Sequence, residues 1–232
     1  MSVLRDKVIV ITGGSSGIGK ALADAAYARG AYVAVCARNI DKLTALFPLS
    51  EKLVCIQADV SKESDCKDFI DAVVQKWGRV DVLVNNAGIS MRALFEDVDI
   101  AVLKELMDIN FWGSVYCTKY ALPSIIKQKG VIAAISSIAG YRGLPARTGY
   151  SASKFALQGF LEALRTELLN TGVHVMWVSP GFTSSNIRNV ARSSDGTSQG
   201  ETPLDESKLM SAEECARRIL DAIETRKRTV VM

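Results

Sequence analysis

Tyr150 and Lys154, four residues apart in the run Tyr150-Ser151-Ala152-Ser153-Lys154, are the side chains best suited to moving a proton. At that spacing they share one helix face, with Cβ atoms about 5–6 Å apart. An isolated phenol, with a pKa near ~10, is a poor acid–base group at neutral pH. A neighbouring ammonium favours the phenolate and brings it toward a working range. Ser137 closes an apolar run and offers a hydroxyl that can hold a substrate oxygen while the phenol exchanges its proton. Alone, the pair is also what an exposed helix presents to solvent. Its chemistry depends on what the rest of the chain places beside it.

The elements that must do the placing are legible as alternating patterns. Lys7–Ile11, Tyr32–Ala37, Leu53–Gln57, Val80–Val84, Val131–Ile135 and Val173–Val178 are short, rich in Val and Ile, and apolar on consecutive positions. That is how strands covered on both faces read. Between them Ile18–Arg29, Lys62–Trp77, Ile100–Lys127 and Ser151–Leu169 space their charges as helices do. The alternation predicts an α/β domain of right-handed βαβ units with a doubly wound parallel sheet in the order 3-2-1-4-5-6. Thr229–Met232 is a candidate seventh strand. A chain of 232 residues with no internal linker or repeat suits one domain over 1–232. Pro180–Lys208, containing Ser193–Gly200, breaks the rhythm. A substrate lid at about 181–208, partly unordered without ligand, is expected there.

The turn after the first strand reads Thr12-Gly13-Gly14-Ser15-Ser16-Gly17-Ile18-Gly19 and opens a helix. Glycines there permit a tight turn, and backbone amides at a positive helix end can meet a pyrophosphate. The second strand ends Cys36-Ala37-Arg38-Asn39, where NAD-binding sheets place an acidic residue for the ribose hydroxyl. Arg38 can instead form paired charge-assisted bonds to a 2′-phosphate, which favours NADP. NAD is the alternative, with Asp41 serving its ribose if the loop curls, and a solvated Arg38 is the plainer possibility. Asp59-Val60 ends the third strand, where a carboxylate can accept from an adenine amino group. Asn85-Asn86-Ala87-Gly88 ends the fourth, where small residues let backbone lie against a cofactor. Ser137 lies at the carboxyl edge of the fifth, where open α/β sheets bind ligands.

Composition narrows the alternatives. The net charge is only +3, and Arg217-Arg218 and Arg226-Lys227-Arg228 sit beside Glu213-Glu214 and Glu224. They read as solvated helix ends, with no nucleic-acid or membrane partner implied. Five scattered cysteines without CxxC spacing fit buried thiols in a reducing compartment, neither disulfides nor metal ligands. The one histidine, His174, lies in an apolar run and reads as a strand residue. No signal peptide precedes the first apolar run and no apolar stretch is long enough to span a bilayer, so a cytoplasmic protein is expected.

Taken in order, TGGSSGIG at Thr12–Gly19, Asp59-Val60, NNAG at Asn85–Gly88, Asn110, Ser137, YSASK at Tyr150–Lys154 and Pro180-Gly181 resemble the short-chain dehydrogenase/reductase family over nearly the whole chain. The resemblance implies a Rossmann fold and hydride transfer between NADP(H) and a carbonyl or alcohol carbon. It implies Tyr150 as acid/base, Lys154 as its pKa modulator and a ribose ligand, and Ser137 as the substrate-oxygen donor. Asn110 is implied to hold a water linking Lys154 to solvent. The family register, thirteen residues before Tyr150, selects Ser137 over Ser136. Thr183 and Ser185 stand where the family carries an aliphatic residue and a threonine, which leaves the nicotinamide contacts open. The family usually continues past Met232, so a C-terminal substrate or subunit contact is expected to be missing.

Family members often pair the helices read at Ile100–Lys127 and Ser151–Leu169 into dimers or tetramers. Ala156, Leu157, Phe160 and Leu164 either supply that apolar face or pack on the sheet. Met91, Leu94, Phe95, Tyr141, Leu144 and Phe182 are candidate lining for an apolar substrate, with Arg92, Arg142 and Arg147 available for an anionic group. The competing functions are an NAD-dependent alcohol dehydrogenase, a nucleotide-sugar epimerase or dehydratase, and a non-catalytic dinucleotide sensor.

Overall fold

The computed structural model describes residues 2–47, 50–202, 204–205 and 208–232. Its strands are β1 (Val8–Thr12), β2 (Tyr32–Ala37), β3 (Leu53–Gln57), β4 (Val82–Asn85), β5 (Val131–Ile135), β6 (His174–Ser179) and β7 (Thr229–Val231). They form one parallel sheet in the order β3-β2-β1-β4-β5-β6-β7. The helices are α1 (Gly17–Ala28), α2 (Ile40–Thr44), α3 (Glu63–Trp77), α4 (Ile100–Met107), α5 (Gly113–Gln128), α6 (Thr148–Glu167) and α7 (Ala212–Glu224). This is the doubly wound α/β architecture expected from the alternation, with the seventh strand added.

Two apolar clusters explain why the strands are apolar on consecutive positions. Val8 and Val10 enter one cluster with Phe69, Ile70, Cys117 and Leu157, on the side of α3, α5 and α6. Ile9 and Ile11 enter the other, with Leu22, Ala26, Ile219 and Leu220, on the side of α1 and α7. Successive side chains leave opposite faces of a strand, so a sheet covered on both sides needs no polar alternation. Each such fully buried aliphatic side chain contributes roughly 1.5–3 kcal/mol.

The structure departs from the sequence reading in its helices and decides one alternative that the reading left open. Ile100–Lys127 is not one helix: a π-helical turn, Asp108–Trp112, separates α4 from α5 and carries Asn110. α6 begins at Thr148, so Tyr150 lies in its first turn. Neither α2 nor α7 was read as a helix, although both announce their starts. The Asn39 side chain accepts from the Lys42 amide (2.8 Å), and that of Ser211 from the Glu214 amide (3.1 Å). Finally, Leu157 and Leu164 belong to the core, with Phe160 packed against it. The outward side of α6 instead carries Ala152, Phe155, Gly159 and Ala163.

The basic residues near the C-terminus are engaged locally. Arg217 and Arg218 pair with Glu214, and Arg226 donates to the carbonyls of Gly172 and Lys129. All five cysteines are free thiols. Among the described residues, no helix is long and apolar enough to cross a membrane.

Thr12 couples the ends of β1 and β4. Its hydroxyl, in a residue 2% exposed, accepts from both the Asn86 and Ala87 amides at 3.0 Å. Thr12→Val keeps the shape and orphans two donors. Urea unfolding is expected to show a loss of about 2–4 kcal/mol with an unchanged m-value. A loss below about 0.5 kcal/mol would mean that this coupling contributes nothing.

Candidate active site

All the loops that leave the carboxyl ends of β1 to β6 open on one cavity of about 630 Å³. On one side lies the glycine turn. Gly13 has φ +73°, and a Cβ there would fall 2.9 Å from the Ala87 Cα; at Gly19 a Cβ would lie 2.2 Å from the Gly13 carbonyl oxygen. Only a chain without side chains can run this close to itself. Asn86 fixes the turn, its side-chain nitrogen donating to the carbonyls of Thr12 (2.8 Å) and Gly13 (3.1 Å). Ser16 at the N-cap of α1 makes no side-chain capping bond. The first amides of a twelve-residue helix therefore stay open to an acceptor beside Ser15, Gly17 and Ile18. This cradle fits a pyrophosphate.

At the end of β2, Arg38 is exposed, lines the cavity, and has no ion pair among the described residues. Lys42, one turn into α2, lines it too, and the sequence reading passed over it. Its signal was the N-cap at Asn39, which turns the chain so that residue 42 comes back toward residue 38. Asp41 does not line the cavity. Asp59 also faces it, one carboxylate oxygen accepting from the Ser61 amide (3.1 Å) and hydroxyl (2.8 Å). Val60 packs under Gly113, where a Cβ would lie 2.9 Å from the valine.

On the other side Ser137, Tyr150 and Lys154 come together. Ser137 is held in place as it accepts from the Ala139 amide at 3.1 Å. Burial pushes the Tyr150 phenol above its ordinary value, while a bond from Ser137 and the charge of Arg147 pull it back. Lys154 is 4% exposed and donates to the Ile135 carbonyl at 2.8 Å, its nitrogen 5.7 Å from the centre of the tyrosine ring. Burial brings its ammonium down to about 8. The neighbouring Ser136 also borders the cavity, but its hydroxyl accepts from the Gln158 side chain at 2.7 Å.

Asn110 is wholly buried beneath this trio. Its oxygen accepts from the Ile89 amide (2.8 Å), and its nitrogen donates to the Ile89 carbonyl (3.0 Å) and Ser153 hydroxyl (2.9 Å). Both amide protons are thus spent on fixing the segment after β4. Gly88 permits the approach: a Cβ there would lie 3.1 Å from the Asn110 oxygen and 3.5 Å from the lysine nitrogen.

After β6 the chain passes Pro180 and Gly181 into the irregular segment. Thr183 is 4% exposed, donating to the Gly181 carbonyl at 3.3 Å. Ser185 approaches the glycine turn, 3.1 Å from where a Gly17 Cβ would stand. Ser193–Gly200, read as structureless, is a tied turn. The Ser193 amide donates to Thr197 (2.8 Å), Asp195 accepts from the Thr197 amide and hydroxyl, and Arg192 pairs with Glu105 of α4. Pro203, Glu206 and Ser207 of the expected lid lie outside the described residues.

Of the expected substrate lining, Leu144 and Phe182 face the cavity. Met91 does not; it is fully buried in the core. Leu94, Phe95 and Tyr141 are exposed outside it, the tyrosine hydroxyl accepting from Trp177. Of the three arginines only Arg147 lines the cavity; Arg92 is held by Gln199 and Glu201, and Arg142 lies on the surface. Val190 and Leu204 add apolar lining from the irregular segment, which gave the sequence no period to read.

Residues 7–196 match the family described as short chain dehydrogenase. The chain is similar to a Mus musculus protein named dehydrogenase/reductase SDR family member 7B, 36% identical over 241 residues that cover 99% of this chain and 74% of that one. It is also similar to an Arabidopsis thaliana protein named 11-beta-hydroxysteroid dehydrogenase-like 4A, 39% identical over 226 residues, covering 95% and 74%. Other curated relatives are matched over 54% of their length. A solved alcohol dehydrogenase from the archaeon Thermococcus sibiricus, complexed with 5-hydroxy-NADP, superposes with a TM-score of 0.84 at 26% identity, over 98% of this chain and 95% of that one.

The buried amine leaves a trace in stability. Lys154 holds its proton up to about pH 8 when folded, against an ordinary value of 10.5. Between those values only the unfolded chain stays protonated, so stability rises with pH across that window. Urea unfolding of the wild-type protein is expected to gain roughly 2 kcal/mol over Lys154→Met between pH 7.5 and 9.5. Parallel stability curves for the two proteins would refute the buried ammonium.

Proposed function

The chain belongs to the short chain dehydrogenase family, and on that premise we propose that it transfers a hydride between NADP(H) and the carbonyl or alcohol carbon of a small apolar substrate. The observation that carries this reading is the convergence of Ser137, Tyr150 and the buried Lys154 on one wall of the cavity that the glycine turn also lines. A substrate oxygen held by the Ser137 hydroxyl lies within reach of the Tyr150 proton. In reduction Tyr150 donates that proton to the oxygen; in oxidation the phenolate takes it back. Lys154 favours the phenolate and offers its remaining donors to a nicotinamide ribose. The reduced cofactor, when bound, supplies the hydride. Asn110 acts through position, since its side chain is bonded to Ile89 and Ser153; a bound water would fall to its backbone carbonyl.

Cofactor selection falls to Arg38, joined by Lys42. Two cations at the mouth of β2, with no ion pair among the described residues, suit a 2′-phosphate, and Asp41 is absent from the cavity wall. The pyrophosphate is assigned to Gly13, Ser15, Ser16, Gly17, Ile18 and Gly19, and the adenine to Asp59 and Val60. Asn86, Ala87 and Gly88 lie along the cofactor, and Pro180, Gly181 and Thr183 close on the nicotinamide. Residues 181–208 serve as the lid, and Leu144, Phe182, Val190 and Leu204 favour an apolar substrate. The names of the hydroxysteroid and alcohol dehydrogenase relatives support that class. Trp112 and Phe155, 43% and 48% exposed on adjoining faces of the π turn and α6, suit pairing with a second copy. Unpaired thiols throughout suit a reducing cytoplasm.

Cofactor oxidation with cyclohexanone, acetophenone and a 3-ketosteroid tests the activity. NADPH is expected to exceed NADH in kcat/KM by about ten- to a hundredfold, and Arg38→Ala to erase most of that ratio. A preference for NADH would reject the Arg38 assignment. Tight NADPH binding without turnover of any ketone would favour a sensor.

Tyr150→Phe is expected to abolish nearly all turnover while leaving NADPH affinity within about twofold. Lys154→Ala is expected to lose both. Robust turnover by the phenylalanine variant would remove Tyr150 from its role.

A further inference from the structure

We propose that Arg147 is a positioning residue for Tyr150, stapling the first turn of α6 to Ser90 and Met91 and keeping an uncompensated cation beside the phenol. The inference rests on Tyr150 as the proton donor. Arg147 is the N-cap of α6, three residues before the tyrosine, and both residues line the same cavity. One guanidinium nitrogen donates to both the Ser90 hydroxyl, at 2.8 Å, and the Met91 carbonyl. The segment it grips is itself fixed from two other directions. Asn110 holds Ile89, and the Ser90 carbonyl accepts from the Arg192 amide at 2.8 Å. Arg147 therefore joins the tyrosine's helical turn to a stretch of chain that does not yield.

A neutral donor would serve for a staple alone. What the structure holds instead is a half-buried guanidinium that lines the cavity and has no carboxylate partner among the described residues. Burying an unpaired charge is costly. Here the cost is increased: burial, then the charges of Arg92 and Arg188, weaken the hold of Arg147 on its proton. The group pulling the other way is Tyr150, and Arg147 in turn draws the phenol down. Lys154 faces the same ring from the next turn of α6, and Ser137 from the loop after β5. The arrangement becomes favourable when Tyr150 is the anion, which is the state that alcohol oxidation requires. Arg147 is thus a second cation, on the opposite side of Tyr150 in sequence from Lys154.

The test is the pH profile of kcat/KM for oxidation of the best alcohol corresponding to the ketone panel, with NADP. Activity rises with pH as Tyr150 ionises. Arg147→Gln is expected to move that rise up by about one pH unit, roughly a tenfold loss at a fixed pH below it. Arg147→Lys is expected to return the rise to within about 0.3 unit of the wild-type protein. Ser90→Ala, which keeps the charge and removes one tether, is expected to lower kcat severalfold with the rise unmoved. NADPH binding by fluorescence, within about twofold of wild type, reports that each variant is folded. An Arg147→Gln profile that coincides with the wild-type one overturns the proposal, whatever happens to kcat. So does a shift that lysine fails to reverse. If Tyr150→Phe is inactive and the profile stays put, Arg147 alone loses its role. If Tyr150→Phe still turns over, the proton-donor assignment falls and this inference with it.

Discussion

An ammonium group held almost wholly out of water is the constraint around which the rest of this site is arranged. Lys154 has one backbone carbonyl as its bonded partner, and no carboxylate pairs with it among the described residues. Desolvation of such a group is expensive, and the fold meets that cost by rigidity. α6 must lie against β5 for the lysine to reach Ile135, and the π turn must turn Asn110 inward to hold Ile89. Gly88 leaves room for this packing, since a Cβ there would press on the Asn110 oxygen at 3.1 Å and touch the lysine nitrogen. Loosening any one of these would let water or a different partner reach the amine.

The two halves of the cavity are linked through the sheet. Thr12 and Asn86 bond the ends of β1 and β4 together, tying the glycine turn to the start of the segment 86–92. The same segment then reaches Asn110, Arg147 and Arg192. The glycine turn is thereby referenced to Tyr150 through a short path of hydrogen bonds made by the Thr12, Asn86 and Arg147 side chains. This suits chemistry in which a hydride and a proton must arrive at adjacent atoms, since effective positioning tolerates errors well under an ångström.

Much of this was legible before any coordinates. Consecutive Val and Ile runs gave the strands because both faces of the sheet are covered, and the spacing of Tyr150 and Lys154 gave their shared face. The π turn was not legible: a run such as Asp108–Trp112 differs from an ordinary helix only in its hydrogen-bond register, which leaves no mark in residue type. α7 carries a start signal, Ser211 with Glu214, but follows directly on the irregular segment, with no apolar strand run before it to set the alternation. The pocket lining failed for another reason. Met91, Leu94 and Phe95 closely follow the cavity-lining segment 86–90, yet nearness along the chain does not fix direction. The core takes Met91, and solvent meets the other two. Arg92, Arg142 and Arg147 looked equivalent in sequence; only the tertiary contacts separate a surface charge from one lining the cavity.

The irregular segment after β6 is pinned at its root and again from Arg192 onward. Thr183 pairs with Met210 near its root, and Arg192 bridges to Met91 and Glu105 further along. The stretch between these pins, with Ile187 and Val190 facing the cavity, is short, and neither residue belongs to the apolar clusters beneath the sheet. Substitutions there change the wall of the cavity without touching the apolar clusters that hold the sheet. The shape of the cavity mouth and the stability of the sheet are thereby assigned to separate stretches of chain, so one can be altered while the other is kept.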